Sequence, residues 1–283
     1  MRNDLKEIKN KDTILREQLH EILDNLLAYE IPEKSTSTIK PKIKNIEETI
    51  DFLINTQSSF ARFGDGELSL INNKSIPFQD ADPILAARLK QTLHADEKGL
   101  AIGINYHYYS GLGNLLPVVK DFYRCSVPRF RAILNPHINF EKQYYSATTT
   151  QAYLFFENYE FDKHFAEIKR LWKERNITII CGATVFEKIE NNIFNCAKRI
   201  NYLHAPSKNA FTSYYDILRE ASNIDKGDLI AIILGPTAKP LVYDLHKLGY
   251  QALDMGHIAK DYDAYIKGYA RNKKFITAFF SPD

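Results

Sequence analysis

The sequence predicts an α/β fold: a Rossmann-like, mostly parallel sheet flanked by helices, with an N-terminal helical extension. Three observations lead there. From residue 177 onward, apolar runs of four to eight residues alternate with helix-length stretches, as buried parallel strands do in a βαβ array. Each of these runs closes on Gly or Pro ahead of a polar loop. The chain has 283 residues, 45% of them hydrophobic and 25% charged, which suits one large domain with a sizeable core.

The elements follow in order. Leu5, Ile8, Leu15, Leu19, Ile22, Leu23, Leu26 and Leu27 recur at three- and four-residue spacing among charged residues, so residues 1–30 read as an amphipathic helix. It either packs on its own domain or associates with a second copy as a coil. Residues 31–44, with two prolines and a Ser/Thr cluster, read as a linker, and 45–283 as the main domain. Within it a helix is expected at 45–57, a strand at 59–63, a helix at 82–94, a strand at 99–104 and further helices beyond. The second half gives strands "ITIICG" (177–182), "RINYLHAP" (199–206), "DLIAIILG" (228–235) and "YQALDMG" (250–256). Helices are expected between them, one directly after residue 182 and one from about Thr212, joined by right-handed crossovers.

Composition narrows the function. A formal charge of +2 is too small to argue for nucleic acid or a strongly anionic membrane. Cys125, Cys181 and Cys196 are widely spaced and form no CxxC, so neither a zinc site nor a disulfide framework is expected. The start "MRNDLKEIKNKD" is too polar for a signal peptide, and no window approaches the length of apolar chain that spans a bilayer. The expectation is a cytoplasmic protein, at most peripheral to a membrane.

In open α/β sheets ligands bind where strand C-termini open into helix N-termini. "LGPTAKP" (234–240) is one such place. Gly235 lets a ligand approach the backbone, Thr237 can cap the helix, free N–H groups favour an anion, and Lys239 can add charge. An ordinary Gly-Pro turn with a Thr cap explains the same residues, and the spacing is not that of a Walker A loop. "APSKNAFTSY" (205–214) offers Lys208 and Asn209 in a loop, against the plainer reading of a solvated lysine. "DMGHIAKDYDAY" (254–265) gathers Asp254, His257, Asp261 and Asp263 as general-base candidates, or as a turn followed by a solvated helix start.

The fourth place is "RFGDGE" (62–67). Gly64 and Gly66 flank Asp65, so a sharp turn is expected, and a D-G pair is itself a hairpin signal. Asp65 and Glu67 can also converge on a hard cation such as Mg²⁺ or Mn²⁺, leaving positions for water and substrate phosphates.

Taken together, "RFGDGE", "FQDAD" (78–82), "PSKNAF" (206–211), "LGPTAKPLVYDLHKLGYQALDMGH" (234–257) and "DYDAY" make the chain resemble the GT-D fold glycosyltransferases over roughly residues 45 to 267. That resemblance implies a GT-D type sheet, a divalent metal (Mn²⁺ or Mg²⁺) on a D-x-E pair, and a UDP-sugar donor, with bacterial surface glycans or glycoproteins as acceptors. Residue by residue it makes Asp65 and Glu67 the metal pair with Arg62 beside them, and gives phosphate contacts to Lys208, Asn209, Gly235, Thr237, Ala238 and Lys239. It further implies a base at Asp261 or Asp263, near His257, that deprotonates an acceptor hydroxyl as the metal-bound diphosphate leaves, inverting the sugar.

The chain also departs from the family pattern. Asp261 and Asp263 stand where glutamates are usual, Cys181 and Phe186 replace a charged pair, and a Thr-Arg-x-Tyr pattern becomes Thr150-Gln151-Ala152-Tyr153. The donor sugar therefore does not carry over, although glucose is the expectation. The rival is a non-catalytic nucleotide-sugar-binding scaffold for a partner glycosyltransferase. A phosphotransferase or phosphatase using the same carboxylates lacks any nucleophilic-Asp motif.

Overall fold

A computed structural model of the chain describes residues 40–279, together with Lys11, Asp12, Ile14, Leu15 and Leu19. The 1–30 helix expectation otherwise lies outside the described residues.

The core is one eight-stranded, all-parallel sheet. In chain order the strands are β1 (Lys42–Ile43), β2 (Ser59–Arg62), β3 (Leu100–Ile104), β4 (Gln143–Ser146), β5 (Asn176–Gly182), β6 (Arg199–Ala205), β7 (Leu229–Ile233) and β8 (Ala252–Asp254). In space they run β1-β4-β3-β2-β8-β7-β5-β6. The expected α/β class is thus borne out. β2 and β8 meet in the middle of the sheet, with β3 and β4 on one side and β7, β5 and β6 on the other. That arrangement brings the loops after "FARF" and "ALDM" side by side at the C-terminal edge, where such sheets bind ligands.

Most of the strands that periodicity finds are buried on both faces; the exception is the edge strand β6, which is exposed or half-buried along its length. Every residue of β3 is buried, as is β5 from Ile177 onward. The first helix, Ile46–Thr56, begins where Asn45 accepts from the Glu48 amide at 2.9 Å while the Glu48 carboxylate accepts from the Asn45 amide at 2.9 Å. This reciprocal cap satisfies two otherwise unpaired donors. Helix Pro83–His94 starts on Asp82, which accepts from the Ile84 and Leu85 amides, with Pro83 in the first turn where no N–H is needed.

Four expectations need correction. "RFGDGE" is not a hairpin turn: Gly64 caps helix Asp65–Ile71, and Glu67 reaches back to accept from the Gly64 amide at 2.8 Å. The linker reading of 31–44 fails at its end, because Lys42 and Ile43 pair with Gln143 and Tyr144 to form the sheet edge. Strand β4 itself was not foreseen. Its four residues "QYYS" lack a flanking Gly or Pro and are half aromatic. Finally, the stretch after Gly182 is not helical. Its hydrogen bonds are single turns, Gly182 to Val185, Thr184 to Glu187 and Phe186 to Ile189, leading to a short 3₁₀ segment, Ile193–Cys196. The helix expected from Thr212 begins as a 3₁₀ turn, Ala210–Ser213, and becomes α-helical over Tyr214–Ala221.

His164, on helix Phe161–Lys169, is buried beside Tyr159 and Phe165. Burial holds its imidazole down to about 4, against a weaker opposing effect of the Thr149 backbone. An unfolded imidazole titrates near 6.5, so between these values the unfolded chain takes up a proton that the fold refuses. The stability His164 contributes is therefore present above about pH 6.5 and lost as pH falls toward 4. From pH 7 to pH 5 the loss from this residue is about 2 kcal/mol. Urea unfolding of wild type and His164→Leu at both pH values checks it: the variant should lose correspondingly less on acidification, and an equal loss in both proteins would refute the assignment.

Candidate active site

The C-terminal ends of β2, β7 and β8 are bound together by four buried charges. Arg62, the last residue of β2, donates from Nε to the Asp254 carbonyl at 2.8 Å and from Nη1 to the Ala147 carbonyl at 2.8 Å, and its Nη2 lies 3.3 Å from Asp254 Oδ1. Lys239, in the first turn of helix Ala238–Lys247, puts its ammonium 3.0 Å from Asp254 Oδ2 and 2.7 Å from Glu67 Oε1. Its third donor goes to the Gly235 carbonyl at 3.0 Å. All four side chains are at most a tenth exposed. Two acids and two bases cancel in charge, which is the condition for tolerating ions in such a place. Burial alone would raise the Asp254 pKa, but Arg62 and Lys239 overcome it and hold the carboxyl below its usual range.

Gly256 makes this packing sterically feasible. Its φ is +47°, and a Cβ there would stand 1.8 Å from Arg62 Nη2. Gly182 plays a similar part at the end of β5, where a Cβ would meet Ser207 Oγ at 2.2 Å.

Asp65 stands apart from the network. Its side chain is exposed to solvent. Burial, then the charge of Glu67, push its pKa up, against the backbone amides of Asp65 and Gly66 and, last, Arg129 on helix Pro117–Leu134, which pull it down. Its charge is also felt by Tyr108 and Tyr123, which follow β3 and line that helix respectively, and whose phenols burial pushes well up.

Beside the network a recess open to solvent lies at the ends of β5, β7 and β8. Phe78, Val185, Ile233 and Leu234 give it apolar walls, Gly235 and Gly256 bare backbone, and Lys208 and Lys260 positive charge. His257 also lines it, between the rings of Phe78 at 6.0 Å and Phe279 at 5.6 Å. Burial, then the nearby Lys260, Arg62 and Lys239 charges, lower its imidazole to about 3, so it is neutral at ordinary pH.

The structure thus sorts the residues expected from sequence. Lys208, Gly235 and His257 share the recess. Arg62 and Lys239 are committed to the ion network, and an ammonium with three protein acceptors has no donor left for a phosphate. Asn209 is engaged by Asp80, accepting from its amide at 2.8 Å and donating to its carboxylate at 2.8 Å. Thr237 and Ala238 are fully buried, and the Thr237 hydroxyl has no hydrogen-bond partner. Asp261 is buried with its two oxygens on the Tyr153 and Leu154 amides, each at 3.1 Å, and burial pushes it up to about 7. Asp263 accepts from the Asn191 amide and side chain and pairs with Lys267. Neither aspartate lines the recess.

As a metal site the D-x-E pair fits by half. Both Glu67 oxygens are engaged, by the Gly64 amide and by Lys239, whereas Asp65 offers a solvent-reached carboxylate. Among the described residues no group of three or more His, Cys, Asp or Glu could hold an ion by itself. Sequence reasoning missed Phe78, Gln79, Val185, Ser207 and Lys260. The available signals were that Phe78-Gln79 and Ser207 fall inside the "FQDAD" and "PSKNAF" stretches and Lys260 inside "DMGHIAKDYDAY".

The family described as "Glycosyltransferase GT-D fold" matches residues 60–279, which include every strand but β1 and the first residue of β2. The chain belongs to the GT-D fold glycosyltransferase family. It is 30% identical over 264 residues to "Glycosyltransferase GlyD" of Streptococcus pneumoniae serotype 4, covering 89% of this chain and 31% of that protein. It is likewise 30% identical over 247 residues to "Probable glycosyl transferase Gly" of Streptococcus gordonii, covering 82% of this chain and 34% of that one. The chain therefore spans about a third of the length of these curated relatives. Among solved structures it is similar to "A New Glycosyltransferase (DUF1792) from Streptococcus sanguinis", with TM-score 0.78 at 31% identity over 83% of this chain and 87% of that one. A structure described as showing that domain of unknown function 1792 "has a distinct glycosyltransferase fold" aligns with TM-score 0.77 at 32% identity, over 81% of this chain and 83% of that one. No helix among the described residues of this GT-D chain is long and apolar enough to cross a membrane.

The ion network of the GT-D chain can be tested by removing one charge. Lys239→Met leaves Glu67 and Asp254 short of a cation in a buried place and should destabilise the fold by about 3–5 kcal/mol. Lys42→Ala, which breaks the exposed pair with Glu141, should cost less than about 1 kcal/mol. Chemical denaturation of both variants gives the comparison, and equal costs would contradict the picture.

Proposed function

We propose that the chain is a glycosyltransferase that moves a hexose, glucose by expectation, from a UDP-sugar to a glycan or glycoprotein acceptor of the bacterial surface, working in the cytoplasm. The observation that carries the proposal is the recess at the ends of β5, β7 and β8: apolar walls for a base and ribose, with Lys208 and Lys260 for a diphosphate.

The chain's own residues do three things in this reading. Lys208 and Lys260 balance the charge of the donor and of the departing diphosphate. His257, neutral and held between two phenyl rings, serves as a hydrogen-bonding group and leaves the charge to the lysines. Gly235, with nothing near the place of a Cβ, admits the donor close to the backbone. A divalent cation, Mn²⁺ or Mg²⁺, would be held by Asp65 together with donor phosphates, and by Glu67 only if that carboxylate left Lys239; bound there, it supplies charge to stabilise the leaving diphosphate. Asp261 and Asp263, bonded to backbone and to Lys267, are given no proton-transfer step.

A screen of nucleotide sugars for hydrolysis with Mn²⁺ and Mg²⁺ tests the proposal. UDP release from one UDP-sugar is expected, falling about 100-fold or more in Asp65→Asn while the thermal midpoint is kept, since Asp65 stands outside the buried network. UDP binding by calorimetry without turnover of any donor would favour the scaffold reading instead.

A further inference from the structure

The segment between β5 and the 3₁₀ turn Ile193–Cys196 carries no regular structure, yet it forms one wall of the recess through Val185. At its start it is fixed by the close approach of Ser207 to Gly182. At its far end the restraint comes from helix Ile258–Ile266. Asp263 Oδ1 accepts from both the Asn191 amide and the Asn191 side chain at 2.9 Å. Asp263 Oδ2 lies 2.9 Å from Lys267 Nζ, which in turn lies 2.9 Å from Glu190 Oε1. Two successive residues of the segment, Glu190 and Asn191, are thus tied to two positions one turn apart on a helix. Asp263 is 5% exposed while Glu190 is largely exposed, so the aspartate is the buried member and the lysine bridges outward. Between the two anchors only Phe186, against Phe194 and Tyr202, is held by ring contacts.

We infer that Asp263 is a positioning residue: through Asn191, and through Lys267 to Glu190, it fixes the 183–192 segment so that Val185 closes the nucleotide-binding recess. This rests on the donor reading above, and it gives Asp263 a role different from that of a general base. A base removes a proton from the acceptor and its loss lowers kcat. An anchor shapes the donor site, and its loss lowers affinity for the donor and its product alike, so KM rises with kcat nearly kept. The amide of Asn191 needs an acceptor, which asparagine at 263 still provides, whereas the Lys267 pair needs the charge.

The test compares wild type with Asp263→Ala, Asp263→Asn and Lys267→Met by hydrogen exchange of the 183–192 peptide and by UDP calorimetry. Exchange should quicken and UDP affinity fall about five- to tenfold in Asp263→Ala, with smaller changes in Asp263→Asn and Lys267→Met and kcat within about twofold of wild type. Should Asp263→Ala not fold, the other two variants carry the comparison, since each leaves Asn191 an acceptor. Unchanged exchange in the variants overturns the anchor. Loss of kcat in Asp263→Asn with UDP affinity intact overturns it in favour of a base. Quickened exchange in a chain whose wild type binds no UDP removes the donor reading and with it the assigned role of the wall.

Discussion

The pairing of Glu67 and Asp254 with Lys239, completed by Arg62 on Asp254, is the interaction on which the rest of the site depends. Each charge comes from a different part of the chain: the end of β2, the helix after it, the helix after β7, and β8. In a low-dielectric interior none of them could stand alone, so each fixes the others. The consequence is spatial. Three strand ends and two helix starts are locked together, the glycine at 256 becomes obligatory, and the loops on either side are left to line a recess.

This constraint also divides labour among residues that look alike in sequence. Lys239 and Lys208 both follow strand ends near helix starts, yet one is a buried strut and the other a recess cation. Asp65 and Glu67 stand two positions apart and do different things. Glu67 closes its helix's first turn on the Gly64 amide and holds Lys239, and Asp65, two positions earlier, is exposed to solvent. Asp261 and Asp263 are likewise two positions apart and both are occupied structurally, one by backbone amides of the short helix Ala152–Phe155, the other by the segment that walls the recess.

How much of this was legible follows from where the signal resides. β3, β5, β7 and β8 were readable because strands buried on both faces must be apolar throughout. β1 has only two residues, and β4, half aromatic with no Gly or Pro beside it, lacks the boundary signals that marked the other strands. The "GDGE" helix start was misread because a Gly cap has no side chain: only the Glu67 half of the usual capping box remains, and D-G looks like a turn. The segment after Gly182 spaces Val185, Phe186 and Ile189 as a helix would, but Asp263 and Lys267 capture its end. The recess itself was located in part: strand-end logic found Lys208, Gly235 and His257. It could not see that Arg62 and Lys239 would be claimed by carboxylates far away in sequence, because long-range pairing leaves no local trace.

The most direct measurement of the central claim is a crystal structure of the chain with UDP and Mn²⁺. The account predicts that Lys239 Nζ stays within hydrogen-bond distance of Glu67 and Asp254, with the diphosphate beside Lys208 and the cation, where present, on Asp65. A Lys239 ammonium turned onto the diphosphate, with Glu67 released to the metal, would contradict it.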